Sequence, residues 1–273
     1  MAITQADFAF VRKFVHDRAA IVLEDGKEYL VESRLSALAR REGIASVDEV
    51  VRRLRGSPGG PLPRMVVEAM TTNESSFFRD VNPFTALKET VIPELLRLRA
   101  AEKTLQIWSC ASSSGQEPYS LAMLLHENFP ELFSWNVRIL ATDISSEMVA
   151  RTKNGKFSQL EVNRGLPAPL LVKYFEKHGL EWQAREPLRR MLDTRELNLA
   201  GNWAGIPRVD LVMLRNVLIY FDMETKRGIL GKVRQLLRPG GCMFLGTAES
   251  TMNLDDKYTL QRANGAVYYK VRS

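Results

Sequence analysis

The stretch Leu105–Met123, LQIWSCASSSGQEPYSLAM, decides the fold: an apolar run, then five small residues (Ala111, Ser112, Ser113, Ser114 and Gly115), then a helical pattern. The same texture recurs downstream. Short apolar runs LQIWS, VRILATD (137–143), VDLVML (209–214) and CMFLGTA (242–248) stand apart, and each except the last is followed by a plausible helix. Strands with nearly continuous Val, Ile and Leu are expected where helices cover both faces of a parallel sheet, so the alternation predicts a doubly wound α/β domain. The chain closes with YTLQRANGAVYYKV (258–271), two β-rich runs separated by Ala263, Asn264 and Gly265, which read as an antiparallel hairpin. Residues 155–195 fit the alternation poorly. With several prolines, many charges and the small apolar set Leu170, Leu171, Tyr174 and Phe175, they are expected to form an insertion with its own short helix and strands.

Upstream, the first 55 residues have helical periodicity. Phe8, Val11, Phe14 and Val15 share a face, then Tyr29, Leu30, Leu35 and Leu38, then Val47, Val50, Val51 and Leu54. Ser46 followed by Glu49 has capping-box spacing. GSPGGPLP (56–63) cannot continue a helix, because its prolines lack amide donors and its glycines lose most entropy on ordering. The expected division is an all-helical domain over residues 1–80 and an α/β domain over 81–273, with 155–195 as a small inserted subdomain.

Composition narrows the function. Thirty-eight basic against 32 acidic residues give a net charge of +6, which favours acidic partners but falls short of a phosphate-neutralising surface, so nucleic acid is not indicated. Cys110 and Cys242 are isolated in apolar stretches, against both a disulfide framework and a zinc site. The N-terminus lacks a basic segment followed by an apolar one, and no run approaches the roughly 18 apolar residues of a membrane span, so a soluble cytoplasmic protein without membrane insertion is expected. His16, His126 and His178 lie beside no pattern of Cys, Asp or Glu, which leaves a metal site or nucleophile triad unsupported.

Several residues suit a ligand. Small residues between a strand and a helix let backbone approach a ligand closely, although only Gly115 stands where a dinucleotide fingerprint has three glycines; an ordinary tight turn reads equally well. Glu117 would repel a pyrophosphate and suits a nucleoside with a cationic tail, or simply compensates the helix dipole. Asp143, at the tip of the second apolar run, is placed to accept from ribose hydroxyls; the alternative is a helix N-cap, for which Ser145 competes. In LLRPGGCMFLGTAES (236–250), Gly240 is expected to stop a helix in a left-handed conformation. TTNESSFFRD (71–80) either rings a polar ligand, with Phe77 and Phe78 covering it, or forms a capped helix with two core phenylalanines.

Together TTNESSFFRD, WSCASSSGQEPYSLAM, ATDIS, LNL, LRNVLIYF and LRPGG followed by GTAES occur in an order that resembles the CheR-type chemotaxis receptor protein-glutamate O-methyltransferases, class I enzymes that use S-adenosylmethionine. The resemblance runs from the N-terminal helices to the terminal hairpin. The Pro-Pro pair of nucleobase methyltransferases is absent, RNVLIYF standing in its place. The resemblance implies an N-terminal helical, receptor-docking domain, a Rossmann-like methyltransferase domain with a β-containing insertion, and methyl transfer to receptor glutamates. It also implies site roles. Asn73, Ser75 and Arg79 would approach the cofactor, Arg79 also the substrate carboxylate; Glu117 would take the methionine amine, Asp143 the ribose, and Asn198 with Leu199 the adenine. Arg215 and Asn216 would line the pocket and Tyr220 would face the reacting centre. Ser75 stands where many members have Thr, and the insertion is short beside members that grip a receptor tail peptide, so tail binding is not expected. A monomer is expected. Seven arginines between Ser33 and Arg64 (34, 40, 41, 52, 53, 55, 64) against three acids (Glu42, Asp48, Glu49) offer a basic face for acidic receptor helices, or a solvated surface. Two other functions fit the residues: a sensory adaptor that binds the cofactor without turnover, and a methyltransferase acting on another protein or a small acid.

Overall fold

Among the described residues, six helices precede the first strand: α1 (Gln5–Ala19), α2 (Glu28–Arg41), α3 (Val47–Gly56), α4 (Leu62–Ala69), α5 (Asn82–Ala86) and α6 (Ile92–Arg99), the last two joined by a π-helical turn over Leu87–Val91. Then come β1 (Thr104–Cys110), α7 (Gln116–Asn128), β2 (Asn136–Asp143) and α8 (Ser146–Asn154). The insertion follows as β3 (Lys156–Ser158), α9 (Gln159–Val162), α10 (Ala168–Tyr174), β4 (Phe175–His178), β5 (Glu181–Ala184) and α11 (Glu186–Arg189). The chain finishes with β6 (Leu192–Glu196), β7 (Val209–Leu214), α12 (Met223–Leu236), β8 (Leu237–Leu245), β9 (Tyr258–Ala263) and β10 (Ala266–Val271). The computed structural model describes residues 3–56 and 59–272; Ser57 and Pro58, inside the loop expected over 56–63, lie outside the described residues.

The main sheet has seven strands in the order β6-β2-β1-β7-β8-β10-β9, and the insertion is a separate three-stranded antiparallel sheet, β3-β5-β4. All ladders of the main sheet are parallel except those of β10 with β8 and β9. This is the doubly wound α/β architecture read from the alternation of strands and helices, closed by its hairpin. The period of two along a strand divides the core. Ile107, Leu211, Met213, Cys242 and Phe244 pack with residues of α6, α7 and the insertion, whereas Trp108, Val212, Leu214, Met243 and Leu245 pack with α12 and the N-terminal helices. Both sheet faces are therefore dry, which is why the central strands carry no polar alternation.

The N-terminal helices bury one stripe each. Phe8, Val11 and Val15 of α1 and Val47, Val50, Val51 and Leu54 of α3 are buried, and Ser46 Oγ accepts from Glu49 N at 3.2 Å as the spacing predicted. In α2 the buried stripe is Val31, Leu35, Leu38 and Ala39; Tyr29, 66% exposed, and Leu30 stand off it, because at 3.6 residues per turn positions one and two before Val31 point away from that stripe. Leu62 and Pro63 already belong to α4, where a proline in the first turn costs no hydrogen bond.

Three further expectations change. Gly240 does not cap α12: that helix ends with Leu237 already extended, and Gly240 (φ 78°) sits inside β8 at a bulge where the β7 ladder jumps from Val209–Leu237 to Leu211–Cys242. A Cβ at Gly240 would meet the Leu98 side chain at 2.6 Å and one at Gly241 the Asp210 carbonyl at 2.8 Å, so both glycines serve close packing. The insertion ends earlier than 195, because Leu192–Glu196 form the edge strand β6 of the main sheet, a charged run with no apolar signature. The hairpin turn is two residues, Asn264 (φ 50°) and Gly265 (φ 76°), with Ala263 inside β9.

The arginine surplus over residues 33–64 is offset only in part by acids outside that window. Arg34 bonds the Met70 carbonyl at 2.6 Å and Thr72 Oγ1 at 2.8 Å. Arg52 and Arg53 share Glu49, Arg41 pairs with Glu42, Arg55 with Asp7, and Arg64 reaches Glu68 and Glu196. Arg40 makes no ion pair among the described residues.

Opposite the carboxyl ends of the strands, Asp210 is wholly buried and accepts from Arg99 Nε at 2.6 Å, Gln106 N at 2.9 Å and Arg238 Nη1 at 3.4 Å. Removing its charge leaves Arg99 buried without compensation. Asp210→Asn should cost about 3–5 kcal/mol in denaturant unfolding, with cofactor affinity of the folded fraction unchanged; a loss below about 1 kcal/mol would remove the pair from the supports of the sheet.

Candidate functional site

Strand order reverses beside β1, and the loops leaving β1, β2, β6 and β7 diverge there into a cleft of about 970 Å³ including its open mouth. The cleft is lined by all ten residues singled out in the sequence: Asn73, Ser75, Arg79, Glu117, Asp143, Asn198, Leu199, Arg215, Asn216 and Tyr220. None of the three histidines is among its lining residues.

The β1 loop makes up for its missing glycines by strain. Ala111 (φ 49°), Ser113 (φ 50°) and Gly115 (φ 102°) are all left-handed, so the backbone turns as a glycine-rich loop would. Asn216 (φ 58°) adds a fourth such residue to the lining or its base, and Phe78 and Asp80 flank Arg79 in the same conformation. Asp143 holds the loop: its Oδ2 accepts from Ser113 N at 2.8 Å and its Oδ1 from Ser145 N at 2.9 Å. Ser145, not Asp143, caps α8, by accepting from Met148 N. Burial pushes the Asp143 carboxyl above its ordinary range, against these backbone donors.

Glu117 and Arg215 form the floor. Glu117 accepts from Ser109 Oγ at 2.8 Å and from Arg215 Nη1 at 3.0 Å, and burial nonetheless raises its carboxyl above the usual range. Arg215, whose side chain is 2% exposed, also donates to Asp80 Oδ2 at 2.8 Å and to the Arg79 carbonyl at 2.9 Å. Arg79 is held far more loosely: its hydrogen bond among the described residues is a 3.5 Å contact to the Glu74 carbonyl.

TTNESSFFRD is not a helix but an irregular wall of the cleft, pinned where Ser113 Oγ donates to the Asn73 carbonyl at 3.0 Å. Its phenylalanines do not cover a ligand. Phe77 is buried against Phe157 and Phe175 of the insertion, and Phe78 packs on Phe84. The Asn198 side chain is also committed elsewhere, donating to the Arg18 carbonyl at 2.7 Å and accepting from Ala200 N at 2.9 Å, so it ties α1 to the cleft.

Sequence reasoning missed Ala19 and Ile21, which line the cleft because Ile21 bridges Phe221 and Val22 N donates to the Tyr220 carbonyl at 2.9 Å. No local pattern announces a contact across some 200 positions. Thr71, Thr72, Ser113 and Ile144 also line it. Glu68 was missed too: it accepts from Ser146 N and Oγ at 3.2 Å, joining α4 to the first turn of α8.

Comparison with known proteins fits this geometry. The family described as "CheR methyltransferase, SAM binding domain" matches residues 73–267, and "CheR methyltransferase, all-alpha domain" matches residues 6–71. Chemotaxis protein methyltransferase 1 of Pseudomonas aeruginosa is 42% identical, covering 100% of both chains. Chemotaxis protein methyltransferase Cher2 of Pseudomonas putida is 38% identical over the same coverage, and a chemotaxis protein methyltransferase of Vibrio parahaemolyticus is 37% identical over 100% of this chain and 99% of its own. With both of its parts matched and its full length shared with such relatives, the chain belongs to the CheR methyltransferase family.

Proposed function

We propose that the protein transfers a methyl group from S-adenosylmethionine to glutamate carboxylates of chemotaxis receptors, forming methyl esters. The observation that carries the acceptor's charge is the contrast between the two cleft arginines. Arg215 is spent on Glu117, Asp80 and a carbonyl, whereas Arg79 has one long contact and remains available to an incoming anion. In this reading residues 1–80 dock the receptor and residues 81–273 carry the transfer, with docking left to the helical domain rather than to a receptor tail on the β3-β5-β4 sheet. Arg40, unpaired among the described residues, is its most available surface cation.

The cleft suits S-adenosylmethionine in its chemistry. Glu117 offers an anion for the ammonium group, Asp143 stands at the strand tip for ribose hydroxyls, and Ile144 with Leu199 provides an apolar wall for the base. With its side chain tied to Arg18, Asn198 would contribute through its backbone. Asn73, Ser75 and Asn216 add polar groups around the tail. When bound, S-adenosylmethionine supplies an electrophilic sulfonium methyl group. The acceptor needs no base, since a glutamate of pKa about 4.3 arrives ionised at neutral pH. The chain's task is alignment. An anion and a cation give two neutral products, so a strong buried ion pair would favour the ground state; a loosely held, partly exposed Arg79 orients the carboxylate without trapping it. Tyr220, on the wall of the same cleft, offers a hydroxyl and a ring face.

Incubation with labelled S-adenosylmethionine and receptor cytoplasmic fragments should give base-labile label on glutamates. Bound cofactor with no label, or label only on another acceptor, would overturn the receptor reading. Arg79→Ala should lower kcat at least about tenfold while cofactor Kd measured by calorimetry changes little; equal losses would reassign Arg79 to the cofactor. Glu117 must be ionised to hold an ammonium, and its raised pKa makes that ionisation fail earlier on acidification than for an ordinary glutamate. Cofactor affinity should therefore fall on acidification at a pH above that at which an ordinary glutamate is protonated, and Glu117→Gln should bind more weakly with a shallower pH slope. A wild-type affinity whose fall on acidification matches that of the Glu117→Gln variant would place the amine elsewhere.

A further inference from the structure

The loop Arg215–Phe221 carries Arg215, Asn216 and Tyr220 into the cleft, yet it is short, strained at Asn216 and open to solvent at Ile219, which is 50% exposed. Something outside the loop must hold it. On one side the Val22 amide donates to the Tyr220 carbonyl at 2.9 Å. On the other, three backbone amides converge on one carboxylate: Glu249 Oε2 accepts from Asn216 N at 2.8 Å and Gly246 N at 2.7 Å, and Oε1 accepts from Ile219 N at 3.3 Å.

The turn bearing Glu249 is built for this contact. Glu249 N donates to the Gly246 carbonyl at 2.9 Å, and a Cβ at Gly246 would stand 2.6 Å from Asn216 Nδ2 and 2.7 Å from Glu249 Oε2. Only glycine lets the two loops approach so closely. Thr247 Oγ1 also reaches Asp80 Oδ2 at 3.4 Å, so the same turn touches the aspartate that binds Arg215. A carboxylate suits the task because it only accepts, and both its oxygens face donors. A glutamine would keep one acceptor and turn its amide toward an N–H.

We propose that Glu249 is a positioning residue for methyl transfer, fixing the loop Arg215–Phe221 so that Tyr220 faces the reacting centre. It touches neither cofactor nor acceptor and acts through the backbone of Asn216 and Ile219. The inference rests on the placement of Tyr220 at the reacting centre in the proposed function.

The full chain should be compared as wild type, Glu249→Ala and Glu249→Gln, each also in a Tyr220→Phe background. Glu249→Ala should lower kcat about 10- to 100-fold, with receptor KM and cofactor Kd within about threefold, and Glu249→Gln should fall between. In the Tyr220→Phe background the same substitution should cost much less, because both changes act on one group. Amide hydrogen exchange over residues 216–221, read without any acceptor, should accelerate at least about tenfold in Glu249→Ala. Unchanged exchange, a retained kcat, a cofactor loss as large as the kcat loss, or full additivity with Tyr220→Phe would each overturn the proposal. Should Glu249→Ala fail to fold, Glu249→Gln carries the same readouts. A wild type that methylates no receptor overturns the receptor reading, while hydrogen exchange still decides whether Glu249 holds the loop.

Discussion

One buried guanidinium organises the cleft. Arg215 leaves the end of β7 and binds Glu117 at the start of α7, Asp80, and the Arg79 carbonyl, so two distant parts of the chain meet on a single planar cation. Two carboxylates against one guanidinium leave the floor with negative character suited to a positively charged ligand. Burial raises Glu117 because even this partnership does not replace the water it has lost. The fork geometry of arginine matters here, since a lysine would offer a point charge and lose the simultaneous contacts.

The sheet makes such an arrangement affordable. Both faces of its central strands are packed, and its opposite edge is secured by Asp210 with Arg99 and Arg238. Against that rigid base the loops at the carboxyl ends hold Ala111, Ser113 and Asn216 in left-handed conformations that an isolated turn would avoid. The strain sits where backbone must come close to a ligand.

The helical domain is part of the site rather than an appendage to it. Ala19 and Ile21 line the cleft, Asn198 binds the Arg18 carbonyl, Arg34 holds Met70 and Thr72, and Glu68 binds the first turn of α8. Movement of the N-terminal helices would therefore shift the cleft wall directly, through hydrogen bonds that span the two parts.

What the residues alone determined is the α/β alternation, the helical start and the terminal hairpin, each written in a local pattern, with Glu117, Asp143 and the stretch 71–80 as ligand candidates; Asn198, Leu199, Arg215, Asn216 and Tyr220 are pointed out by the family resemblance of the motifs that hold them. Tertiary structure decided the rest, because it depends on which distant groups meet. A window count gave residues 33–64 a surplus of four arginines, but it could not see that Asp7 would reach Arg55 or that Glu68 and Glu196 would reach Arg64. Strand β6 has no apolar run because it lies at the sheet edge, and Gly240 reads as a helix stop until the β8 bulge is packed against Leu98. Asn198 looks like a ligand residue in the motif LNL, but its amide finds the last turn of α1 some 180 positions away. Hydrogen-bond partners at such separations are chosen by packing, and packing is not encoded in spacing.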